Sequence, residues 1–123
     1  MAKILLIDDD ELLRQVLAKA LAHAGHEVVE AADGAQGQEL ARVSGANLVI
    51  TDLIMPGQEG VETIIALRRE QPDLPIIAMS GGAAHTKLYL DIAGKIGAQR
   101  VLAKPFTPAV LLQAVNEVLA AKK

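Results

Sequence analysis

Cysteine is absent, which excludes disulfides and thiolate metal sites. Tryptophan is absent too, and Tyr89 and Phe106 are the only aromatics, so the interior must be built from Ile, Leu, Val and Ala. No apolar run approaches the roughly 18 residues that suggest a membrane span. Met1-Ala2-Lys3 leads into a short apolar run that meets three acids, which is not a signal-peptide pattern. The expected compartment is the cytoplasm, without membrane contact. A basic excess is lacking as well. Lys and Arg total 12 against 15 Asp and Glu, a net charge of −3. That balance argues against direct nucleic-acid binding, which needs a concentrated basic surface.

What is present is an ample core: 51% of the 123 residues are hydrophobic, enough for one folded domain. The apolar residues fall in short runs, Ile4-Leu5-Leu6-Ile7, Val28-Val29, Leu48-Val49-Ile50, Ile76-Ile77-Ala78-Met79 and Val101-Leu102-Ala103. Most are apolar throughout, as expected of parallel strands covered on both faces. Five helical patterns alternate with them. The first carries Leu13, Val16, Leu17, Ala20 and Leu21 and stops at Gly25. A second, weakly marked and rich in Ala and Gly, lies near residues 35–43. The third spans about 60–70 with Val61, Ile64, Ile65 and Leu67, and the fourth about 85–96 with Leu88, Ile92 and Ile96. The fifth opens on Thr107 as N-cap with Pro108 in its first turn, and buries Leu111, Val115, Val118 and Leu119. Alternating strands and helices of this number predict an α/β fold. It is a single doubly wound, five-stranded parallel sheet in the flavodoxin-like order 2-1-3-4-5, with helices on both faces.

Chemistry in such sheets sits beyond the carboxyl ends of the strands. The residues found there are Asp8, Asp9 and Asp10, then Thr51 and Asp52, then Ser80 and Gly81, then Lys104 and Pro105. Several carboxylates in one pocket repel each other unless a cation is present. Oxygen donors without His or Cys suit a hard ion such as Mg²⁺. Such a metal favours phosphoryl transfer, in which Lys104 and Ser80 can meet phosphoryl oxygens and Asp52 is the natural nucleophile. Asp10 and Glu11 fit a plainer role at the N-terminus of the first helix. Pro56 and Gly57 shape a loop. His23, His26 and His85 share no ligand spacing and read as surface residues, and Tyr89 as a partly buried helix residue.

These pieces together resemble the bacterial response-regulator receiver domain over essentially the whole chain. The matching features are Asp8-Asp9, the stretch Asp52-Leu-Ile-Met-Pro56-Gly-Gln-Glu-Gly60, Ser80, Gly97-Ala98, and Lys104-Pro105-Phe106. The resemblance implies that Asp52 is the phosphoacceptor and that Asp9, Asp52 and the backbone carbonyl of Ile54 ligate Mg²⁺. Asp8 would hold the metal through water, and Lys104 and Ser80 would bind phosphoryl oxygens. It implies a cis Lys104-Pro105 bond. The implied donor is phosphohistidine on a sensor histidine kinase or histidine phosphotransfer protein, and phosphorylation would change the surface offered to a downstream protein. The module would assist only its own phosphorylation and dephosphorylation.

Two features depart from the family pattern. Val101 stands three residues before the lysine, where an aromatic that moves on activation is usual. The stretch from Ser80 to Lys104 is slightly longer than common, with the extra residues near Gly81-Gly82-Ala83-Ala84-His85. The switch is therefore expected to run through the Gly81-Gly82 loop and the start of the fourth helix. From another functional class, Asp8-x-Asp10 superficially permits a Mg²⁺-dependent aspartyl-nucleophile phosphatase. Leu12, where such enzymes carry Thr or Val, and the scant chain left for a cap weigh against it. A nucleotide or flavin binder is disfavoured because the first strand runs into acids rather than glycines. A receiver that has lost phosphate binding is disfavoured because every required residue is present. The chain ends just after the fifth helix, at Lys122-Lys123, so residues 1–123 are expected to be one receiver domain with no effector domain, acting alone or cut from a longer protein.

Overall fold

Each apolar run becomes a strand. In the computed structural model, which describes residues 2–53, 60–80, 91, 95 and 97–121, the order of elements is β1 (Lys3–Ile7), α1 (Glu11–His23), β2 (Glu27–Ala31), α2 (Gly34–Ser44), β3 (Leu48–Asp52), α3 (Gly60–Glu70), β4 (Ile76–Ser80), β5 (Arg100–Ala103) and α4 (Pro108–Ala121). All neighbouring strands pair in parallel, in the order β2-β1-β3-β4-β5, as expected. The helix expected near residues 85–96 lies outside the described residues except Asp91 and Lys95, both helical. Ile54, Pro56, Gly57, the Gly81-Gly82 loop, His85 and Tyr89 also lie outside them.

Side chains alternate across a strand, so an all-apolar strand feeds two cores. Ile4, Leu6, Leu48, Ile50, Ile77 and Met79 meet Leu17 and Leu21 of α1 and Leu111, Val115 and Val118 of α4. Leu5, Ile7, Val49, Ile76 and Ala78 meet Ala41 of α2 and Ile64 and Leu67 of α3. Val28 and Val29 are only half-buried, because β2 lies at the sheet edge. Val16 and Ile65, expected on buried faces, are turned outward, so the apolar stripes of α1 and α3 are narrower than the sequence implied.

The helix ends follow from local chemistry. The Asp10 side chain caps α1 by accepting from the Leu13 amide at 3.1 Å. At its other end Gly25 takes φ +98°, and the Gly25 and His26 amides donate to the Ala22 and Leu21 carbonyls. Thr107 Oγ1 accepts from the Val110 amide at 3.2 Å, as its N-cap assignment requires. The glycines that blurred α2 have a packing reason. A Cβ on Gly37 would overlap Ile7 Cδ1, so with glycine α2 presses against the last residue of β1 without displacing that side chain.

Candidate functional site

The register aligns the carboxyl ends of the four strands β1, β3, β4 and β5. Ile7 pairs with Thr51, Asp52 with Met79, and Ser80 with Ala103, so Asp8, Asp52, Ser80 and Lys104 emerge along one edge. Asp8 follows β1 and is fully buried. Its amide donates to the Ala31 carbonyl at 3.1 Å, and its Oδ1 accepts from the Asp10 amide at 3.0 Å. Its carbonyl accepts from Arg14 Nη1 at 2.7 Å. Asp9 is exposed, next to it. Asp52 ends β3, buried.

Lys104 reaches into this edge from the end of β5. Its Nζ donates to Asp52 Oδ2 at 2.9 Å and to Asp8 Oδ2 at 3.4 Å. Its amide donates to the Ser80 carbonyl at 2.7 Å, which fixes the root of the side chain beside β4. Ser80 itself is buried. The Lys104-Pro105 peptide is cis, as the resemblance implied. Burial alone would lower the Lys104 pKa. The hydrogen bond and charge of Asp52, joined by those of Asp8, outweigh it and hold the ammonium above its ordinary value. Asp8 is pushed toward its neutral form: burial raises its pKa from 3.8 to about 6, against the opposing pull of the Asp10 amide and Lys104. Asp52 adds like-charge repulsion in the raising direction.

One oxygen each from Asp8, Asp9 and Asp52 lies within 4.8 Å of the others. Octahedral Mg²⁺, with bonds of about 2.1 Å, needs ligand oxygens about 3–4 Å apart. A small contraction thus suffices, and the donors are hard oxygens with no His or Cys among them. The residues fit such an ion. Only Asp52, Asp8 and Asp9 form a cluster of this kind among the described residues.

The positions expected from sequence, Asp8, Asp9, Asp52, Ser80 and Lys104, are brought to one edge, while Ile54 lies outside the described residues. Asp10 is held as the α1 cap, so the Asp8-x-Asp10 pair does not present two carboxylates to one substrate. Val101 is half-buried and packs against the core beneath α2 and α3. His26, read as a surface residue, is half-buried, and its Nδ1 accepts from the Ala2 amide at 3.2 Å. Its imidazole pKa is lowered by that burial and then by the N-terminal charge.

Two contributors carried no role in the sequence reading. Gly60 opens α3 directly behind Asp52. A Cβ there would overlap the Asp52 carbonyl oxygen and come 2.8 Å from its carbonyl carbon. The Gly60 amide also donates to the Leu53 carbonyl at 2.9 Å, so the start of α3 is stitched to the residue that follows Asp52. A glycine at the first position of the third helical pattern was the available signal. Arg14 had no such signal, because its partners Asp8 and Glu30 lie on other elements.

The family model for the response regulator receiver domain matches residues 4–116. The DNA-binding transcriptional regulator NtrC of Azospirillum brasilense is 36% identical over 118 residues, covering 96% of this chain and 24% of that protein. The probable transcriptional regulator ycf27 of Porphyridium aerugineum is also 36% identical over 118 residues, covering 95% of this chain and 48% of that one. The chain therefore spans a quarter and a half of these relatives' lengths. Among solved structures, the Vibrio cholerae chemotaxis protein CheY4 superposes with a TM-score of 0.86 at 32% identity, covering 96% of this chain and 98% of that one. An extended family match, relatives above 30% identity and a shared fold agree with the acid-and-lysine edge: the chain belongs to the response regulator receiver domain family of two-component systems.

Proposed function

We propose that Asp52 accepts a phosphoryl group from phosphohistidine on a sensor histidine kinase or histidine phosphotransfer protein. Mg²⁺ would be held by Asp9, Asp52 and the Ile54 carbonyl, with Asp8 acting through water. The observation that carries this reading is the contact of Lys104 Nζ with Asp52 at 2.9 Å and Asp8 at 3.4 Å beside the three-carboxylate cluster. A carboxylate oxygen of Asp52 forms the new bond to phosphorus as the phosphorus–nitrogen bond breaks. The departing imidazole keeps the electron pair and takes up a proton. Bound Mg²⁺ would neutralise charge on the transferring oxygens.

Lys104 already lies against the acceptor, so it needs only a short shift from carboxylate to phosphoryl oxygen. Phosphorylation replaces one carboxylate charge with about two phosphoryl charges and adds three acceptor oxygens. That draws on Lys104 and on the Ser80 hydroxyl. Because the Lys104 amide and the Ser80 carbonyl are bonded, the ends of β4 and β5 respond together and change the surface offered to a protein target. The module acts on itself alone, speeding its own phosphorylation and hydrolysis, and works in the cytoplasm. Among the described residues no helix is long and apolar enough to cross a membrane.

The test is transfer of label from a radiophosphorylated histidine phosphotransfer domain. Label should move to the wild-type chain with Mg²⁺, and not to Asp52→Asn or to wild type in EDTA. Transfer to Asp52→Asn at the wild-type rate would contradict the assignment.

A further inference from the structure

Arg14 is a largely buried cation outside the cluster. Its side chain is 14% exposed, and its guanidinium divides between two partners on different elements. Nη1 donates to the Asp8 carbonyl at 2.7 Å, while Nε donates to Glu30 Oε1 on β2 at 3.1 Å. The Asp8 carbonyl lies just beyond the β1 ladder and needs a partner there, since a buried peptide oxygen left without one costs about 1–3 kcal/mol. The Asp8 amide is fixed separately, to Ala31. The peptide joining Asp8 to Asp9 thus depends on Arg14 for its orientation, and that peptide aims the exposed Asp9 carboxylate.

The geometry points to Arg14 as a positioning residue for the cation site, with Glu30 as the brace that aims its guanidinium. The inference rests on the Mg²⁺ site proposed above. A planar fork can serve a carbonyl and a carboxylate together, whereas a lysine at this position offers one point charge. When the brace is lost, the Asp8-Asp9 peptide can turn, and Asp9 leaves the set of oxygens that now lie within 4.8 Å. Partners behind a ligand typically change metal affinity by about 10–100-fold when removed.

The test is calorimetric titration of MgCl₂ into the full chain, paired with amide hydrogen exchange in EDTA. Arg14→Met should bind Mg²⁺ roughly tenfold more weakly. Its Asp10 amide, which donates to Asp8 Oδ1, should exchange faster than in wild type without any metal. Glu30→Ala should show the same two effects in smaller measure, Arg14→Lys should recover part of the affinity, and Glu30→Gln, which keeps an acceptor, should stay near wild type. Arg42→Met is the control, because it loses a surface pairing with Glu39 and Glu70 far from the cluster. If Arg14→Met fails to fold, Glu30→Ala and Arg14→Lys decide the matter. Unchanged Mg²⁺ affinity and Asp10 exchange in the folded variants, with wild type binding Mg²⁺, would overturn the role of Arg14 alone. Absence of Mg²⁺ binding by wild type would overturn the metal site and this inference together.

Discussion

Asp8→Asn should make the metal-free protein more stable at neutral pH. Burial, with like-charge repulsion from Asp52, raises the Asp8 pKa from 3.8 to about 6, so the folded chain holds this proton more tightly than the unfolded chain does. The native state is therefore favoured below about pH 4, and that advantage is lost as pH rises through about 6. At pH 7 the whole penalty is present, about 3 kcal/mol for this displacement. Asparagine removes the charge and keeps an oxygen for the Asp10 amide, but its amide nitrogen suits Lys104 poorly. A net gain of about 1–2 kcal/mol remains after that offset. In urea this moves the midpoint upward by roughly 1 M, and the melting temperature by about 4–8 °C. The assay is urea unfolding followed by far-UV circular dichroism, in EDTA, at pH 7 and pH 4. The two proteins should differ at pH 7 and converge at pH 4, where Asp8 is protonated in the native wild type. Millimolar Mg²⁺ should narrow the gap at pH 7 by stabilising wild type more. A variant midpoint equal to or below wild type at pH 7 in EDTA would refute the reasoning.

Mg²⁺ should raise the wild-type melting temperature by mass action, and Asp9→Ala should lose most of that rise; equal rises in both, by scanning fluorimetry, would count against the cluster as the binding site. Lys104→Met should cost about 1–3 kcal/mol in EDTA at pH 7, because Asp8 and Asp52 lose their shared cation. Millimolar Mg²⁺ should restore part of it, whereas denaturation curves insensitive to the substitution would contradict the charge accounting. Gly60→Ala should destabilise by about 1–3 kcal/mol through overlap with the Asp52 backbone, and should slow phosphorylation. Wild-type unfolding and labelling in that variant would show that the chain yields there at no cost.

The sheet was legible because its strands are apolar on both faces and each is followed by a helical pattern. Continuous runs such as Ile4 to Ile7 gave strand positions, and the number of units gave the order. The site followed from topology: Lys104 and Asp8 stand 96 positions apart, yet both come just after strands that end on one edge. Contacts that depend on what lies across an interface left no trace in the local pattern. Gly37 answers to Ile7, on another element. Arg68 lends its guanidinium to the carbonyls of Pro72, Leu74 and Gly97, and nothing in its neighbouring residues announces three backbone partners. His26 read as a surface residue because its partner is the Ala2 amide on an adjacent strand's approach. Val16 and Ile65 matched the helical period but sit at the margin of their stripes, where periodicity alone does not mark the boundary.

The central claim is that Asp52 is the acceptor. Intact-mass spectrometry after incubation with acetyl phosphate and Mg²⁺ tests it most directly, on wild type and Asp52→Asn side by side. A single phosphoryl adduct on wild type, discharged by hydroxylamine as an acyl phosphate is, and none on Asp52→Asn is the expected result. Equal adducts on both proteins, or none on wild type under conditions where Mg²⁺ binds, would contradict it.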